Sequence, residues 1–195
     1  LPPNCCEGIR TDLPVRIQPG GEAFAYFADD AATGTTNLWV YGVEMPAEQR
    51  KIPLANFIAD VTYEPAWSPD GQFVAISAFN SANGVQLEGH YTLVFYLGNT
   101  SAPILTIENA AAPSISPNGR LLAFERLDAT GRNIYVRAMN SGEITPVTQQ
   151  PAGSECYGAQ FGLDSLTLFF TCQTNGETTI FRYGLGGIAP LQTGI

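Results

Sequence analysis

The stretch WSPDGQFVAIS, residues 67–77, is written again 48 residues later as ISPNGRLLAFE, residues 115–125. Aligning on the turn proline adds two worn copies, IQPGGEAFAYF from Ile17 and FGLDSLTLFFT from Phe161, so that Pro19, Pro69, Pro117 and Leu163 mark four turns spaced 50, 48 and 46 residues apart. A second marker keeps the same beat. Gly34, Gly84, Gly131 and Gly176 each close a Thr-Gly or Asn-Gly pair, the pairs that favour tight hairpins. Two landmarks sharing one period make repetition a property of the whole chain, and repetition constrains a fold more than local propensity does.

After each glycine comes a β-rich segment: NLWVYGV from Asn37, YTLVFYL from Tyr91, NIYVRAM from Asn133 and TTIFRYG from Thr178. A further apolar segment closes each unit, at Lys51, Pro103, Ile144 and Ile188. Each unit therefore reads as four short antiparallel strands. Four strands per repeat at this period predict an all-β fold, a β-propeller with four four-stranded antiparallel blades in this chain. The blades fall at approximately 10–56, 57–108, 109–150 and 151–195, within a single domain covering 1–195. They form a closed four-blade ring, belong to a larger propeller, or close with a second chain.

A lone four-stranded sheet cannot cover both of its faces, which is the physical reason to repeat it. Runs such as Phe73-Val74-Ala75-Ile76 and Leu121-Leu122-Ala123-Phe124 are apolar on both faces, as strands between neighbouring blades should be. Ala25, Ala75 and Ala123 recur at one strand position, read as close packing between sheets, and Phe169 breaks that pattern. With 45% hydrophobic residues the chain can fill such a core.

The Pro-Asp-Gly turn fits a three-residue hairpin loop with glycine in the left-handed region, which sets Ser68 opposite Gln72. Carried into the fourth unit, that register sets Cys156 opposite Cys172 and predicts a disulfide. Opposed cysteines without a histidine cluster fit a disulfide better than a metal site, and disulfides persist outside the reducing cytosol. The expected location is extracytoplasmic: secreted, cell-surface or periplasmic. Cys5 and Cys6 are adjacent, so each finds a partner elsewhere or stays a free thiol. The start at Leu1 rather than Met reads as a processed or excised form, which leaves room for a lost targeting segment or additional domains.

Trp67-Ser68-Pro69-Asp70-Gly71-Gln72, with its echo at 115–120, resembles the TolB-like family of propeller repeats. Asn133-Ile134-Tyr135-Val136 looks like that family's third-strand signature, and residues 142–148 like its closing strand. The first unit lacks the Asp and the last lacks the Pro and Gly. The resemblance implies a six- or seven-bladed propeller in most relatives, usually exported, serving as a protein-binding module or attached to another domain.

The search for chemistry is mostly a list of exclusions. Net charge is −9 and the one lysine is Lys51, so a nucleic-acid partner is not expected. No apolar run is long enough to span a membrane. The single histidine, His90, follows the longest connection between second and third strands, residues 80–89, and reads as a solvated loop-end residue without a serine partner. No phosphate cradle is written. Asp29-Asp30, with Asp12 and Glu44 elsewhere, read as solvated turn residues rather than a calcium site. Asp70, Asn118 and Asp164 recur because their side chains bond the local backbone. Trp67 and Trp39 read as core rather than sugar platforms, and Asn99-Thr100-Ser101 is a glycosylation triplet in a turn.

The chain is thus expected to be no enzyme, with no catalytic, cofactor or metal residues and no cofactor. Its expected role is to bind a protein partner or to self-assemble, as a recognition or scaffold module. The alternatives are the accessory propeller of a hydrolase of the prolyl oligopeptidase type and a carbohydrate-binding propeller.

Overall fold

The computed structural model describes residues 14–29, 34–43, 49–129, 131–186 and 188–191, in which every regular element is a strand. The first sheet holds β1 (Val15–Ile17), β2 (Ala23–Asp29), β3 (Thr36–Gly42) and β4 (Arg50–Ile52), in that order. The second holds β5 (Phe57–Ala59), β6 (Ala66–Trp67), β7 (Phe73–Ala82), β8 (Val85–Tyr96) and β9 (Leu105–Glu108), with β5 and β6 both pairing β7. The third runs β10 (Ala111–Ile115), β11 (Leu121–Asp128), β12 (Gly131–Ala138) and β13 (Ile144–Pro146). The fourth runs β14 (Ser154–Phe161), β15 (Thr167–Thr174), β16 (Glu177–Gly184) and β17 (Ile188–Leu191). All pairings are antiparallel, so each repeat is a meander, and β5 and β6 are one first strand broken by residues 60–65.

The repeated turn is one residue longer than the motif suggests. Gly71 N donates to Ser68 O and Ser68 N to Phe73 O, both at 2.9 Å, so Ser68 closes with Phe73 and not with Gln72. Four residues form the loop, with Gly71 at φ 67. The Ser68 hydroxyl accepts from Phe73 N at 2.9 Å and donates to Asp70 Oδ1 at 2.6 Å, and Asp70 also accepts from Gln72 N. Ser116 and Asn118 repeat these bonds around the third-sheet turn. The fourth turn has Gly162 where the serine should be, and the hydroxyl comes from the other end: Thr167 Oγ1 donates to Asp164 Oδ2 at 2.6 Å. One hydrogen-bond economy thus survives a change in which residue supplies the hydroxyl.

The longer loop advances the first-strand register by one, giving Trp67 opposite Val74 and Phe161 opposite Leu168. A β-bulge between Tyr157 and Gln160 then sets it back, and Gly158 at φ 68 permits it. Cys156 is therefore opposite Cys172, and the two are joined by a disulfide with Cα atoms 4.0 Å apart. The reasoning from a three-residue loop reached this pair because two single-residue errors cancelled.

The chain divides into two compact units, Leu1–Glu108 and Asn109–Ile195. In the first, Ala25, Phe27 and Leu38 of one sheet pack with Val74, Ile76 and Phe95 of the next, all fully buried. Trp67 joins them and its Nε1 donates to Arg16 O at 3.0 Å, which ties the first strands of the two sheets together. In the second unit, Ala123 and Ile134 pack with Leu168, Phe170 and the disulfide. Glu125, only 3% exposed, reaches across: its Oε1 accepts from Gly158 N at 2.8 Å, so the bulge of one sheet is held by a carboxylate of its neighbour.

Candidate interaction surface

Residues 80–89, expected to be a loop, continue the strands instead. β7 and β8 extend to a two-residue turn at Asn83 and Gly84, whose φ values of 52° and 76° suit the type I′ hairpin that an Asn-Gly pair encodes. The result is an arm standing off the sheet. Every residue from 82 to 88 is exposed, Val85 at 64% and Leu87 at 43% among them. Isolated exposed aliphatics are ordinary, but two at alternate positions of one projecting strand make a single apolar edge.

At the base of the arm the pairing slips between Phe79 and Ser81, and His90 stands opposite Phe79. His90 is not a solvated loop end: its ring stacks on Phe79, centroids 4.6 Å apart, and its Nε2 lies 2.8 Å from Asp60 Oδ2. That approach is a close polar contact lying outside hydrogen-bond geometry. Asp60 begins residues 60–65, which interrupt the first strand of this blade; six residues there face two on β7. Asp60 is 5% exposed, and its Oδ1 accepts from Thr62 Oγ1 at 2.6 Å and Thr62 N at 3.0 Å. Burial pushes the Asp60 carboxyl up, but the His90 contact and the Thr62 hydroxyl and amide outweigh it and hold it below the usual carboxylate range. From the same segment Glu64 Oε2 meets Arg16 at 2.8 Å and Tyr63 approaches the imidazole, centroids 5.9 Å apart. The arm is therefore braced by an insertion that also grips the first sheet.

The chemistry of this cluster is that of a brace. The hydroxyl nearest the pair belongs to Thr62, and it donates to Asp60 rather than to the imidazole, the reverse of what an activated nucleophile requires. Among the described residues, no three His, Cys, Asp or Glu are grouped to hold a metal ion. A hollow of about 450 Å³ in the second unit is lined by Gly131, Ser154, Glu155, Gln173 and Asn175, mostly neutral polar groups.

Other expected residues fall as follows. Trp67 is core, and Trp39 is half-buried with Nε1 donating to Ala28 O at 3.3 Å. Asp29 accepts from Thr36 Oγ1, whereas Cys5, Cys6, Asp12, Asp30 and Glu44 lie outside the described residues. Asp70 and Asp164 are held below the usual carboxylate range, first by the hydroxyls of Ser68 and Thr167 and then by turn amides. Asp60 and Glu125 escaped the sequence reading. Asp60-Val61-Thr62 has the spacing of an Asx motif, and the glycine Gly158 inside an apolar strand was the available sign of a bulge.

No family model and no curated protein matches the chain. Among solved structures, TolB from Acinetobacter baumannii aligns with 91% of this chain and 43% of its own, at 13% identity and TM-score 0.64. An oligogalacturonate lyase in complex with manganese aligns over 91% and 51%, at 13% identity and TM-score 0.70. Prolyl oligopeptidase B from Galerina marginata aligns over 91% and 27%, at 11% identity and TM-score 0.63. The chain thus spans about half or less of each of these neighbours, and identities this low speak to fold alone. Among the described residues no helix is long and apolar enough to cross a membrane. Repeat, strand order and these likenesses agree that the chain is a run of four TolB-like β-propeller blades.

Proposed function

We propose that this chain is an exported, non-enzymatic recognition module that holds a protein partner on the β7–β8 arm. The observation that carries the reading is the arm itself: Val85 and Leu87 are exposed on a strand whose base is fixed by Phe79, His90 and Asp60. A rigid apolar edge loses little entropy on binding, which is the advantage of preorganisation. The cross-strand disulfide supports export, as does the likeness to TolB, since the resemblance to the TolB-like repeats implies a protein that is usually exported. A photo-crosslinking side chain at Leu87 tests the reading against one at exposed Glu155 in the second unit. Discrete protein adducts should form from position 87 alone and should vanish in Val85→Glu. Equal labelling from both positions, or none, would sink it.

A second reading has one observation behind it. The prolyl oligopeptidase neighbour aligns over only 27% of its length, so a propeller of this kind can be a minor part of a hydrolase. A peptidase activity that co-purifies covalently with this chain in its full gene product would favour that reading.

A further inference from the structure

The turn joining β8 to β9 carries the one Asn-X-Ser/Thr triplet of the sequence, Asn99-Thr100-Ser101. Such triplets arise by chance, so the geometry has to decide. Asn99 is exposed, its N donates to Tyr96 O at 3.0 Å, and the two residues form an isolated antiparallel bridge. Its side-chain oxygen is occupied, accepting from Ser101 Oγ at 2.8 Å and Ser101 N at 3.2 Å. The amide nitrogen, the atom that would bear a sugar, donates to no group among the described residues. A substituent there would break no hydrogen bond among the described residues.

A second, independent observation is the ring beside it. Residues opposed in an antiparallel bridge project to the same face, so the Tyr96 ring and the Asn99 amide share one. Tyr96 is 38% exposed although aromatic, and its ring is held across the turn: Phe73 lies 5.3 Å away between centroids, and a Cβ on Gly98 would come within 2.6 Å of Tyr96 Cζ. A fixed, half-open aromatic surface next to an acceptor amide suits the apolar face of a pyranose.

We propose that Asn99 carries an N-linked oligosaccharide and that Tyr96 is the platform on which its first sugar rests. The donor is a lipid-pyrophosphate-linked oligosaccharide. A bond forms between Asn99 Nδ2 and the anomeric carbon, the bond from that carbon to the phosphate oxygen breaks, the lipid pyrophosphate leaves, and one amide proton passes to base; nothing is oxidised or reduced. The inference needs export but not the partner on the arm.

The test is mass mapping of the protein isolated from its native source, with the cysteines read in the same experiment. One oligosaccharide on the peptide containing Asn99 is expected, lost in Asn99→Gln and in Ser101→Ala and kept in Ser101→Thr. A bare Asn99 with Cys156 bonded to Cys172, in cells that glycosylate another exported protein, overturns the proposal while leaving export standing; a bare Asn99 with both thiols free overturns export and glycan together. The platform is read separately. Enzymatic removal of the glycan should lower the melting midpoint by about 2 °C, a shift that one modest contact gives a chain of this length. That shift should persist in Tyr96→Phe and fall by more than half in Tyr96→Ala; an unchanged shift in Tyr96→Ala overturns the platform.

Discussion

Glu125 offers the sharpest test of how neighbouring blades are joined. Its carboxylate is buried, its Oε1 takes the Gly158 N–H at 2.8 Å, and Arg132 Nη1 stands 3.4 Å from Oε2. Glu125→Ala removes an acceptor from a backbone donor that the bulge has already withdrawn from the β-ladder. A hydrogen bond to a charged group is worth roughly 1.5–3 kcal/mol, and an orphaned buried donor costs about 1–3 kcal/mol, the two overlapping rather than adding. The half-exposed Arg132 contact contributes no more than about 1 kcal/mol. The expected loss is therefore about 3 kcal/mol. Glu125→Gln keeps an acceptor oxygen at the same reach and should lose about 1 kcal/mol, the difference between a charged and a neutral acceptor. Urea titration followed by tyrosine fluorescence measures both, and amide exchange at Gly158 localises the effect. A loss under about 0.5 kcal/mol for Glu125→Ala, or unaltered Gly158 exchange, would refute the coupling of Glu125 to the bulge. Equal losses in both variants would mean that charge, and not the acceptor, holds the sheets together.

Three further outcomes are expected. Because the Asp60 carboxyl lies below its unfolded value of 3.8, the folded chain binds fewer protons there; its contribution is present above that value and is lost as pH falls through the folded one. Asp60→Asn should accordingly flatten the acid limb of the stability curve, and an unaltered limb would show that Asp60 is not coupled to folding. Replacing Cys156 and Cys172 by alanine opens a loop with a sequence separation of 16 and should cost about 3 kcal/mol in urea titration, with no loss counting against a structural bond. Ser68→Ala leaves the Phe73 N–H without its side-chain acceptor, and Ser165→Ala takes from Asn118 N the hydroxyl that accepts from it at 3.0 Å; each should cost about 1 kcal/mol in urea titration, and no loss would count against these bonds.

The repeat was legible because it is written in the types of residue that a turn demands: proline to enter, glycine for a positive φ, alternating apolar residues after it. Those signals are local and survive divergence, as the Thr167 hydroxyl in place of a Ser68 equivalent shows. Register was not legible to the same degree. It accumulates every inserted residue, so one extra loop residue and one bulge each shift it, and only the Cys156–Cys172 bond reveals that they cancel. The His90 brace was invisible for a related reason. Its partner Asp60 belongs to an insertion that breaks the repeat, and the two meet through a fold in which the first and third strands of a blade flank the second. Glu125 and Gly158 belong to different blades altogether, and no local rule couples them.

One departure from the repeat is chemical rather than geometric. In the first three sheets an alanine faces a valine across the second and third strands: Ala25 with Val40, Ala75 with Val94, Ala123 with Val136. All six are buried. A pair this small lets two twisted sheets approach to about 10 Å. At the equivalent place the fourth sheet sets Phe169 opposite Arg182, with Thr171 opposite Ile180 beside them. Phe169 is 43% and Ile180 51% exposed. A phenyl ring and a guanidinium fill more space than an alanine and a valine, so this face differs from its three counterparts in both volume and charge. The arginine also keeps the patch wet, since its head group stays hydrated while its stem covers apolar surface. The strand propensities of the two pairs are too close to distinguish these faces, whereas the change of volume and charge at a single cross-strand pair does distinguish them.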